Sequence, residues 1–112
     1  MLETWIGNVI LSEFCQLTNY KIPGTENVIK SESAIHYQIE TKDGLIVDFY
    51  RRSLDSVQAP GSNVVRIIAH PMEPIYRVGE EIIVTGRLIQ LCDSKIIVEC
   101  TEITEDPAKY SE

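Results

Sequence analysis

The helical apolar period is missing from this sequence. In its place, β-branched residues crowd into short runs separated by Gly, Pro, Asn and Asp, the pattern of strands and turns. Cysteine is scarce: Cys15, Cys92 and Cys100 form neither a CxxC pair nor a Cys/His ladder, which excludes a disulfide framework and the common structural zinc sites. Basic charge is also thin. Ten Lys plus Arg stand against seventeen Asp plus Glu, a formal charge of −7 that opposes sequence-independent attraction to nucleic acid, so any such site has to be local. No apolar run approaches the roughly 18 residues that cross a bilayer, no Asn-x-Ser/Thr sequon occurs, and Glu3 precedes any basic residue at the N-terminus, unlike the cationic start of a secretory signal. These absences predict an intracellular chain, cytoplasmic or, in a eukaryote, nuclear, with reduced thiols and no membrane partner.

What is present is one domain's worth of residues. A chain of 112 residues with 44% hydrophobic and 24% charged side chains is near the globular average and has no room for a second core, so 1–112 is expected to be a single domain with 104–112 as a frayed tail. Strands are predicted over 4–11, 34–41, 45–52, 64–69, 81–91 and 95–104. The polar stretch 18–33, with Pro23, Gly24 and Asn27, reads as a long loop, and Gly24-Thr25 and Gly61-Ser62 as turns. The run 64–69 is apolar on both faces apart from Arg66, which predicts burial between layers or under a loop.

Pairing follows from arithmetic. A three-residue loop Lys42-Asp43-Gly44, with Gly44 left-handed, opposes Ile39 with Val47 and Tyr37 with Phe49. The faces then separate: Ile35, Tyr37, Ile39, Leu45, Val47 and Phe49 belong to a core, while His36, Gln38, Glu40, Asp48, Tyr50 and Arg52 form a wet face with Ile46 as its one aliphatic member. A three-residue loop Cys92-Asp93-Ser94 likewise opposes Leu88 with Val98 and Arg87 with Glu99. Gly86 inside a strand marks a bend or a close backbone approach.

The segment 77–103, RVGEEIIVTGRLIQLCDSKIIVECTEI, resembles the closing hairpin of OB-fold domains: Val78 and Gly79 start it, Ile82, Val84 and Gly86 continue it, and Ile103 ends it. The opening Trp5-Ile6-Gly7-Asn8-Val9, the long first loop and the Lys42-Asp43-Gly44 hairpin look like the first three OB strands in order, so the resemblance covers about 4–104. It implies a mostly β fold, a small five- or six-stranded OB-like Greek-key barrel. The family's helix between strands three and four has little room in 53–63, and 64–69 is a strand beyond the family pattern.

Catalysis finds little support in the residue inventory, and a non-enzymatic chain without cofactor or metal is expected. His36 reads as a surface residue and His70 as a strand-end residue before Pro71. Cys15 and Cys100 read as small buried hydrophobes, Cys92 as a turn thiol, and Glu40 and Asp48 as carboxylates facing water. Binding fares better. The OB ligand surface, carried onto this sequence, comprises Tyr20, Lys21, His36, Gln38, Ile46, Tyr50, Arg52 and the turn around Lys95. Tyr20 and Tyr50 would stack bases while Lys21, Lys30, Arg51 and Arg52 meet phosphates of single-stranded DNA or RNA. Glu40 and Asp48 would repel such a strand, which leaves open an acidic interaction subunit of a larger, nucleic-acid-processing assembly that docks a basic protein. The unpaired edges of an open barrel also offer a route to homo-oligomers.

Overall fold

The computed structural model describes residues 1–22, 26–58 and 60–105. Seven strands run in chain order: β1 (Glu3–Lys21), β2 (Val28–Glu40), β3 (Ile46–Arg52), β4 (Leu54–Gln58), β5 (Val65–Ala69), β6 (Glu81–Cys92) and β7 (Lys95–Glu105). Five of them close a ring in the order β1-β2-β3-β7-β6, and β4 and β5 form a separate two-stranded sheet. The mostly β, small-barrel expectation holds, and the described residues contain no helix.

Ring closure depends on β1 serving two neighbours. Glu3 to Asn8 pair with β6, and from Asn8 onward the same strand pairs with β2. At the changeover a Cβ on Gly7 would lie 2.5 Å from the Glu40 carbonyl oxygen, so only glycine lets the backbones approach this closely. Gly86 does the same for the last hairpin, where a Cβ would come within 2.2 Å of the Glu99 oxygen. The seam is parallel: Ile46, Val47 and Asp48 of β3 lie beside Lys95, Ile96 and Ile97 of β7.

The core is the predicted inward face with one addition. Ile35, Tyr37, Ile39, Val47 and Phe49 are completely buried and pack with Val9, Ile82, Val84, Ile96 and Val98, with Leu45 partly buried beside them. Tyr76, from the segment between β5 and β6, fills the remaining space. Its backbone N–H donates to the Tyr37 hydroxyl at 3.1 Å, and its carbonyl accepts from Ser12 Oγ at 2.8 Å.

Register reproduces the arithmetic at the first hairpin. Tyr37 faces Phe49, Ile39 faces Val47, and Gly44 has a φ of 84°. At the last hairpin Arg87 faces Glu99 and Leu88 faces Val98, as expected, but the turn is Asp93-Ser94 alone, with Cys92 paired to Lys95. An irregularity between Leu88 and Gln90 takes up the difference, so Cys92 ends a strand rather than lying in the turn.

Three expectations are corrected. The stretch 18–33 is mostly strand: β1 and β2 continue as a ladder out to Lys21 and Val28, making an arm of a molecule that measures 49 × 31 × 25 Å. Of the residues expected in that loop, Pro23, Gly24 and Thr25 lie outside the described residues. Most of the arm is polar and exposed, with hydrogen bonds among Gln16, Ser31 and Ser33, although Ile22 and Ile29 are buried outside the main core cluster. Second, the 64–69 run is exposed, not buried; β5 pairs with β4, a strand too short and mixed to read from sequence. Third, β7 extends through Thr104 to Glu105, which pairs with Ile82, so the fraying expected from 104 does not begin there; 106–112 lie outside the described residues.

Candidate functional site

The C-terminal end of β3 meets β7 and the base of the β4 and β5 hairpin at a cleft of about 430 Å3, lined by Ile22, Tyr50, Arg51, Arg52, Asp55, His70, Glu99 and Glu102 among others. Alternation along β3 sends Tyr50 and Arg52 to the face opposite Phe49, and the arm brings Tyr20 back over the Arg52 guanidinium, 4.9 Å from ring centroid to Cζ. Of the residues predicted as one site, Tyr50, Arg51 and Arg52 line the cleft and Tyr20 lies over Arg52, while alternation turns Arg51 to the other side of β3, against Tyr76. Burial raises the Tyr20 phenol above its ordinary range, with Arg52 pulling the other way, and burial also raises Tyr50, helped by the charge of Asp48. Both phenols stay neutral hydrogen-bonding groups across the physiological range.

The two arginines are already engaged within the chain. Arg52 bridges Glu32 at 3.4 Å and Asp55 at 3.5 Å, and the Glu32 carboxylate, wholly buried, also accepts the Leu54 N–H at 2.9 Å. Such a pair holds its place because a lone buried carboxylate is costly, so Arg52 anchors the start of β4 to β2. Arg51 donates to the carbonyls of Glu73, at 2.7 Å, and Pro74, and lies against the Tyr76 ring, tying the barrel cap to β3. On the acidic side, Glu99 has a buried Oε2 without a hydrogen-bond partner, and Glu102 adds a second carboxylate to the cleft wall.

Midway along the face, Asp48 is buried rather than facing water. It accepts from Gln38 Nε2 at 2.8 Å and lies 2.5 Å from His36 Nε2, while the His36 ring stacks on Tyr50 at 4.8 Å. Glu40 stays exposed as expected. The wet face is thus a half-buried polar network in which a carboxylate, an amide and an imidazole satisfy one another.

Two predicted lysines fall elsewhere. Lys21 is at the arm tip, 3.7 Å from Glu26, and Lys95 pairs with Ile46 at the opposite end of β3 from Arg52. Lys30 is exposed on the arm. No continuous basic track joins them. Sequence reasoning missed Asp55, Glu99 and Glu102 as cleft groups and Glu32 as the buried partner of Arg52; Glu32 stands among Lys30, Ser31 and Ser33, where nothing in the sequence sets it apart. Among the described residues, no group of three or more His, Cys, Asp or Glu could hold a metal ion, and no helix is long and apolar enough to cross a membrane. The chain has no match among family models, curated proteins or solved structures.

Proposed function

We propose that this chain is a non-enzymatic, OB-like interaction module whose cleft docks a basic segment of a protein partner. The ring order supports the OB-like part: a meander of β1, β2 and β3, closed by a final hairpin through a parallel β3 and β7 contact. One observation carries the choice of ligand. The cationic groups of the cleft, Arg51 and Arg52, are bonded within the chain, whereas among the described residues Glu99 and Glu102 make no ion pair. A Lys or Arg side chain entering there meets two carboxylates and the Tyr50 ring, the surroundings that favour a cation.

A second reading rests on the stacked His36 and Tyr50 rings, which offer a platform for a base and favour single-stranded DNA or RNA. Fluorescence anisotropy separates the two. A labelled Lys/Arg-rich peptide and a labelled oligo-dT are titrated with the protein at about 50 mM salt, using Glu99→Gln, Tyr50→Ala and, as a remote acidic control at the β2 and β3 turn, Asp43→Asn. The peptide is expected to bind, to weaken at least ~5-fold in Glu99→Gln and to be unchanged in Asp43→Asn. Equal weakening in both acidic variants reduces the effect to bulk charge and contradicts the cleft. Oligo-dT binding that falls with salt and in Tyr50→Ala replaces this reading with the second.

A further inference from the structure

The β4 and β5 hairpin stands apart from the barrel in its composition. All seventeen acidic residues of the chain lie outside 56–72, and Arg66 is the one formally charged residue within that stretch. Val57, Val64, Val65, Ile67 and Ile68 are all exposed. Among the described strands β5 pairs with β4 alone, so its other edge presents unpaired backbone groups. Natural edge strands are usually blunted by charge, proline or a bulge, and an isolated two-stranded sheet is marginal in water. A strand apolar on both faces has the composition of an internal strand, one with a neighbour on each side and cover above and below.

We propose that β5 pairs antiparallel with β5 of a second copy, making a four-stranded sheet β4-β5-β5-β4 about a two-fold axis. Charge selects this occupant. A basic partner would seek carboxylates and a nucleic acid would seek cations, and this stretch supplies no carboxylate and a single Arg66. A chain carrying −7 repels its own copy over most of its surface, and the acid-free stretch is where two copies meet without that repulsion. The strand is also self-complementary. With Ile67 on the axis, Val65 faces Ala69 of the second copy and Arg66 faces Ile68, so no like charges oppose each other and an isologous interface closes.

Sedimentation velocity of the full chain over ~1 to ~200 μM, without ligand, tests this independently of the cleft reading. The wild type is expected to move from 12.7 kDa to twice that mass, with association undiminished by added salt, which screens the residual repulsion. Ile67→Lys places two ammonium groups face to face and should weaken the dimer at least ~100-fold. Because Ile67 is exposed, the far-UV circular dichroism of the monomer should be unchanged. Ile89→Lys, on another exposed apolar stretch, in β6, should leave the dimer intact. A wild type that stays monomeric throughout overturns the proposal, and so does a dimer that survives Ile67→Lys or dissolves in Ile89→Lys.

Discussion

Two antiparallel hairpins of similar apolar content end in opposite environments. In β2 and β3 the apolar residues alternate with polar ones, and Ile35, Tyr37, Ile39, Val47 and Phe49 are wholly buried while His36, Gln38 and Tyr50 face outward. In β4 and β5 the longest apolar run of the hairpin, Val64 to Ala69 broken only by Arg66, is exposed along its whole length. Alternation, rather than apolar content, therefore locates the core of this protein. A sheet that packs on one side needs one apolar face, and a strand with two is left over once the barrel is closed.

The largest effect that tests this contrast comes from truncating one residue on each hairpin. Phe49→Ala opens a cavity among Tyr37, Val47 and their neighbours and should cost about 3–5 kcal/mol in urea unfolding. Ile67→Ala, at a site 57% exposed, should change monomer stability by no more than ~0.5 kcal/mol when measured in dilute solution. Comparable losses at both sites would mean that β5 is buried after all.

The cysteines sharpen the same contrast on a smaller scale. Burial pushes the Cys100 thiol from an ordinary value of 9.0 up to about 12, whereas Cys92, at the exposed end of β6, is open to solvent. Since the thiolate is the reactive form, iodoacetamide at about pH 8.5 should modify Cys92 at least ~10-fold faster than Cys100, with peptide mapping as the readout. The sign for stability follows from the direction of the shift. A folded-state value above the unfolded one means the Cys100 contribution is fully present below pH 9 and is lost as pH rises toward 12, so Cys100→Ala should flatten that alkaline loss. Tyr20 and Tyr50, also raised, add to the loss in the same direction.

How much of this was legible in the chain depended on whether a segment meets the core. The β2 and β3 register followed from alternation and Gly44, because one side of that pair is buried, whereas the Arg87 and Glu99 pairing followed from cross-strand matching, since β6 is exposed from Arg87 to Cys92. The arm was unreadable for the converse reason: Gln16, Ser31 and Ser33 satisfy each other in solvent, and polar strands look like loops. Tyr76 was hidden because it plugs the barrel from an irregular segment, where no periodicity announces burial. The candidate face was found in outline through Tyr20, Tyr50, Arg51 and Arg52. Its electrostatic character was not, since the partners that neutralise the two arginines, Glu32, Asp55 and the carbonyls of Glu73 and Pro74, come from other segments.

The most direct test of the account is residue-resolved hydrogen exchange of the full chain at a few micromolar, with and without a Lys/Arg-rich peptide. The account predicts slow exchange for the paired amides of β3 and β7 in both samples, added protection on peptide binding at Tyr50 to Arg52 and Glu99 to Glu102, and exchange along the outer edge of β5 that the peptide leaves unchanged. Added protection along β5 instead, or peptide binding that leaves the cleft strands unchanged, would contradict the assignment of the partner site to the cleft.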